Sequence, residues 1–145
     1  MATGVQRITG NPNIRKYLCA SATPAFVAGD LVTINASGLL VIATAGDILG
    51  IAKANHPAST SVYVPVDIID PVSDFLVHAA GATATTDVGD ILDILPTTTA
   101  VTTTTDSVHD VCVNALWPGD AVGTSGGRYI VKFSPGSITA SAKAT

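Results

Sequence analysis

Four times along this chain a Gly-Asp pair opens onto an apolar run: Ala28-Gly29-Asp30-Leu31-Val32, Ala45-Gly46-Asp47-Ile48-Leu49, Val88-Gly89-Asp90-Ile91-Leu92 and Pro118-Gly119-Asp120-Ala121-Val122. Glycine takes a positive φ without a Cβ clash. Aspartate hydrogen-bonds the local backbone and holds a turn, and the β-branched residues that follow favour extended chain. Gly29, Asp30, Gly46, Asp47, Gly89, Asp90, Gly119 and Asp120 therefore read as structural turns, each leading into a strand. Their spacing is irregular, which argues for one all-β domain and against a solenoid.

Composition narrows the class further. All eleven acidic residues are Asp, and only seven residues are Lys or Arg. A helix needs a charged outer face to stay soluble, and this chain has little material for one, whereas Val, Ile and Thr are plentiful. Asn35-Ala36-Ser37-Gly38 separates two apolar runs and predicts a hairpin over 31–43. Further strands are expected at Ile48–Ala52, Val62–Ile68, Phe75–Ala79, Ile91–Leu95, Val111–Trp117 and Arg128–Phe133. In the third of these, Val62, Val64, Val66 and Ile68 alternate with Tyr63, Pro65 and Asp67. Pro65 cannot donate to a ladder, so that strand should lie at an edge or be broken there. Residues 68–80 also carry Ile69, Val72, Leu76 and Ala79 at helical spacing, the one place where a helix competes. The expected fold is thus all-β, a small barrel or sandwich of about eight short strands.

Charge is unevenly placed. Residues 1–29 hold Arg7, Arg15 and Lys16 and, before Asp30, no acid, while 54–127 hold nine of the eleven aspartates and no Lys or Arg. Residues 1–25 sustain neither period and read as an extended N-terminal arm. Such an arm either wraps its own domain or docks on a partner, adding a strand to the partner's sheet. The β domain is expected over 26–133, with a Thr-rich part within 96–127 that could protrude, and a loose tail over 134–145. Three positive charges without interleaved aromatics do not make a nucleic-acid surface. The uncharged stretch between Asp30 and Asp47 is shorter than the ~20 residues of a membrane span, and no apolar block follows the first charges, so no signal peptide is expected. Cys19 and Cys112 then read as free thiols in a reducing compartment.

No catalytic, metal or cofactor constellation emerges. His56, His78 and His109 lack a nucleophile signature, and Cys112 sits inside a strand pattern as a small hydrophobe. Asp67, Asp70 and Asp74 could gather around Ca²⁺. Pro71 interrupts them and no calcium-loop spacing is present, so they read as solvated loop acids. Only 12% of the residues are charged, against about a quarter in ordinary domains. A chain so poor in charge suits an assembly whose members cover part of one another's surface.

The order of these features resembles the head decoration, or capsid cement, proteins of tailed bacteriophages. The likeness lies in Gly38-Leu39-Leu40-Val41, in Ala45-Gly46-Asp47-Ile48-Leu49-Gly50-Ile51-Ala52, and in Pro57-Ala58-Ser59-Thr60-Ser61 leading into Val62–Ile68. It covers residues 26–70, with a weaker echo at Val77-His78-Ala79-Ala80-Gly81 before Val88-Gly89-Asp90. The resemblance implies a compact β domain that forms a homotrimer on the outer capsid surface of the virion, made in the host cytoplasm, with the major capsid (coat) protein as partner. It places the arm on the coat, with Arg7, Ile8, Ile14, Arg15 and Lys16 as contacts. A carbohydrate- or receptor-binding β module of a phage fibre or tail is the alternative, and it would need exposed aromatics.

Overall fold

Eleven short strands are found in the computed structural model, which describes residues 4–19, 25–43, 48–56, 62–95, 99–102, 110–135 and 138. They are β1 (Gln6–Arg7), β2 (Ile14–Leu18), β3 (Leu31–Ile34), β4 (Leu40–Ile42), β5 (Gly50–Ala52), β6 (Tyr63–Ile68), β7 (Phe75–Ala79), β8 (Ile91–Leu95), β9 (Ala100–Val101), β10 (Asp110–Leu116) and β11 (Arg128–Phe133). A 3-10 turn, Thr85–Asp87, precedes β8. The protein is all-β, as composition and turn chemistry imply.

The strands form two sheets. One runs β1-β7-β11-β10-β8-β9, and β9 returns to pair in parallel with β7, so five strands close on themselves. β1 adds antiparallel to the same edge of β7, at Gln6↔Leu76 and Arg7↔Phe75. The other sheet runs β2-β6-β5-β3-β4, and a parallel bridge between Cys19 and Leu40 draws its two outer strands together at one end.

Two cores follow. Phe75, Val77, Ile94, Val111, Val113, Tyr129, Val131 and Phe133 fill the first, where they meet Leu31, Ile48 and Ile51 from the second sheet. Cys19, Phe26, Val32, Leu40, Leu49, Ala52, Val64 and Val66 fill the second. β11 shows the simple case, with Tyr129, Val131 and Phe133 buried and their neighbours half-buried. β3 and β5 lie between the cores and bury residues on both faces, so alternation is lost. Part of the chain's low charge therefore has an internal cause: some strands have no solvent face to decorate.

The hairpin over 31–43 is present, with Gly38 at φ 80° closing the turn by donating to the Asn35 carbonyl. Pro65 is placed otherwise than expected: β6 is an inner strand, between β2 and β5. Its tolerance has a simple origin. β5 ends at Ala52, and the Lys53 amide still donates to the Pro65 carbonyl, so the missing N–H falls where the β5 ladder stops. The helical spacing over 68–80 is overridden, because Asp70–Ser73 turn and Phe75–Ala79 pair with β11 and β1. In the Thr-rich part, Ala100 and Val101 form a buried strand; residues 103–109, with His109, lie outside the described residues. Ile138 is buried and bridges Ile48, so the tail reaches the core there.

Among the described residues, the His56 ring is buried with both of its nitrogens unsatisfied. It stacks on Phe26 at 5.2 Å, and the residue is 1% exposed. A buried polar atom without a partner carries a desolvation penalty of about 1–3 kcal/mol. His56→Leu is expected to raise the urea midpoint, with a gain of at least ~1 kcal/mol; a lower midpoint would show that the imidazole stabilises the core.

Candidate functional site

Residues 4–19 are extended but do not project from the body. Val5 lies in the first core, β1 pairs with β7, and β2 pairs with β6 from Ile14↔Asp67 to Leu18↔Tyr63. The N-terminus wraps its own domain and ties the two sheets together.

Arg7 is the tie. Its side chain is 7% exposed and that of Asp67 is 2% exposed. Nε and Nη2 donate to the two carboxylate oxygens of Asp67, each at 2.9 Å, a bidentate fork. Nη1 donates to Ser73 Oγ at 2.8 Å and Asp70 Oδ2 at 3.1 Å, and Nη2 also donates to the Ile68 carbonyl at 2.9 Å. All five N–H donors of the guanidinium are thus used, while its plane lies 4.9 Å over the ring of Phe75. Gly10 passes so close that a Cβ there would stand 2.1 Å from Ser73 Oγ, and its φ is +81°. The loop over the clamp therefore requires glycine.

This corrects two expectations. Arg7 is not available to an outside partner, because β1 turns it inward onto carboxylates that have no other counter-charge among the described residues. Nor are the aspartates solvated loop acids. Asp67 and Asp70 hold Arg7, Asp70 also accepts the Val72 and Ser73 amides, and Asp74 pairs with Lys132 and accepts from Asn114. Among the described residues no group of three or more His, Cys, Asp or Glu is placed to hold a metal ion.

Burial raises the pKa of the Asp70 carboxyl, but hydrogen bonds from the Ser73 hydroxyl and amide, from Arg7 and from Val72 outweigh it and hold the group below its usual 3.8. Asp120 is lowered chiefly by its hydrogen bonds from Arg128. A carboxyl depressed in the folded state stabilises the fold above its unfolded pKa, and that contribution fades as pH falls through the folded value. The urea midpoint should hold down to about pH 4 and then drop, less steeply in Asp70→Asn; a midpoint that rises on acidification would contradict the pairing.

Of the other arm residues, Ile8, Ile14, Arg15 and Lys16 are exposed. Ile8 and Ile14 share with Pro12 and Lys53 the walls of a groove of about 410 Å³ floored by Arg7 and Asp67. Arg15 and Lys16 do not line it; they follow Ile14 along β2. On the outer face of the second sheet, Lys16, Pro65 and Lys53 stand in one cross-strand row, and Leu18 and Tyr63 in the next. Tyr63 is 67% exposed and Ile14 47%. Arg7, Arg128 and Lys132 have acidic partners. Of the remaining described cations, Lys16 and Lys53 share this face, while Arg15, opposite the buried Val66, leaves β2 on its other side. Lys53 and Tyr63 were missed from sequence because only the β5–β6–β2 register brings them beside Lys16.

The turn residues divide by mechanism. Gly29 and Gly89 have φ of 98° and 91°, and Asp30 accepts the Val27 amide. The Asp90 amide closes its turn on the Asp87 carbonyl. Gly119 lies at ordinary φ and is small for another reason: a Cβ would meet Trp117 Nε1 at 2.8 Å. Asp120 grips Arg128 with both oxygens. Gly46 and Asp47 lie outside the described residues. Cys19 is buried and Cys112 half-buried, both are free, and burial raises the Cys19 thiol pKa.

No helix among the described residues is long and apolar enough to cross a membrane. Comparison with family models, curated proteins and solved structures finds no match. Fold and surface together define an all-β protein with a clamped N-terminus and one face where apolar side chains and unpaired cations meet.

Proposed function

We propose that this chain is a decoration, or cement, protein of a tailed-phage head: a structural protein of the virion that sits as a homotrimer on the outer capsid surface and cross-links neighbouring coat subunits. The reading rests on the motif order over residues 26–70 that resembles this family, and on an all-β body of suitable size. The observation that carries it is the β2–β6 face. Ile14, Tyr63, Lys16 and Lys53 are presented there by strands that the Arg7 clamp holds in place. A rigid face loses little entropy on docking. Several weak contacts made by one oligomer then release only together, which is how a small protein reinforces a shell.

The N-terminal segment acts, in this reading, as part of the folded face. Deleting it would remove Val5 and Arg7 from the fold, so point substitutions are the proper test. Purified protein mixed with heads that lack a decoration protein should co-sediment saturably and raise the temperature at which filled heads rupture. Failure to co-sediment with any such head, together with a monomeric mass at high concentration, would overturn the proposal.

A further inference from the structure

The register of β2 on β6 leaves half of the β2 backbone unused. Ile68 N–H donates to the Asn13 carbonyl and Cys19 N–H to the Val62 carbonyl. In an antiparallel ladder the hydrogen-bonded pairs recur every second residue, so Arg15 and Tyr17 face β6 while Ile14 and Lys16 turn their N–H and C=O the other way. β2 is the outer strand of its sheet, and among the described residues its far edge is met only at Cys19, by Leu40. An open strand edge is a template for another strand.

Charge decides which strand. Arg15, Lys16 and Lys53 have no salt bridge, in a chain whose net charge is −4. We infer that the free edge of β2 takes an extended, acidic segment of a partner protein as an added strand, with one of its side chains in the groove beside Ile14. Strand addition uses the outward N–H and C=O groups, and Arg15 and Lys16, which leave β2 on opposite faces, neutralise the segment's carboxylates. A nucleic acid fits less well, because three cations and one exposed aromatic give few phosphate contacts and no run of stacking platforms. The inference deepens the cement reading and relies on it only for the partner being coat.

The probe is a short fluorescein-labelled peptide alternating Asp with Val or Thr, followed by fluorescence anisotropy at low and moderate salt. It should bind the wild-type protein, and bind Arg15→Glu/Lys16→Glu roughly ten-fold or more weakly, since charge complementarity is reversed. Lys16→Pro removes an outward N–H, which an edge strand tolerates, together with the ammonium. It is therefore compared with Lys16→Ala, which removes the charge alone; the proline variant should bind several-fold more weakly than the alanine variant. If the proline variant does not fold by circular dichroism, the same peptide N-methylated at alternate residues makes the test from the other side. Binding of Lys16→Pro equal to that of Lys16→Ala, or unchanged binding of the N-methylated peptide, would overturn strand addition. So would no peptide binding at all, or displacement of the peptide by oligo-dT. Because no head is involved, peptide binding without head binding would sink the cement reading alone, and head binding without peptide binding would sink this inference alone.

Discussion

Replacing Arg7 with methionine should lower the stability of the protein by roughly 3–5 kcal/mol, because it leaves the buried Asp67 carboxylate without its counter-charge. For a chain of this size that corresponds to a fall in Tm of about 10–15 °C. The magnitude follows from the asymmetry of buried pairs. Keeping both partners gains little over an apolar pair, whereas removing one exposes the full penalty on the other. Arg7→Met/Asp67→Asn should therefore be more stable than Arg7→Met alone. Arg7→Lys should fall between wild type and Arg7→Met, because an ammonium keeps the charge but cannot form the fork to Asp67 while reaching Asp70, Ser73 and Ile68. The checks are urea midpoints and differential scanning calorimetry. An Arg7→Met protein as stable as wild type would mean that the N-terminus is not tied down as described.

Phe75→Ala should cost a similar amount, about 3–5 kcal/mol. Phe75 is fully buried where three interactions meet. Its ring packs edge-on against Phe133, with centroids 5.3 Å apart at 80°. The Arg7 guanidinium covers it, and its backbone pairs with β1 and β11. Truncation removes the ring from the core and the support from under the clamp. The Phe75→Ala and Arg7→Met effects should then fall short of additivity by 0.5 kcal/mol or more, as expected for residues in contact. Strict additivity would show that ring and guanidinium act independently. Phe75→Leu, which keeps most of the volume, should be far milder.

Much of the body was legible from the residues. Turn chemistry at Gly29-Asp30 and Gly89-Asp90 and the alternation of Arg128–Phe133 are local properties, and the structure repeats them. β1 and β2 were not legible, because Gln6–Arg7 and Ile14–Leu18 show no alternation of their own. They are strands because β7 and β6 offer them edges, a tertiary cause. The clamp was hidden for the same reason. Arg7 and Asp67 stand 60 residues apart, and an aspartate on the polar side of an alternating strand looks solvated until another element covers it. β3 and β5 were legible without a period: burial on both faces removes alternation, and short apolar runs bounded by turn residues marked them instead.

Hydrogen exchange resolved to single amides reads the arrangement of the N-terminal strands most directly. The amides of Arg15, Tyr17 and Cys19, which face β6, should be protected nearly to the level of the core, while those of Ile14 and Lys16 should exchange fast. Fast exchange at every amide from Val5 to Cys19 would mean a loose arm. Protection at Ile14 and Lys16 equal to that at Arg15 and Tyr17 would mean that the β2 edge is already occupied.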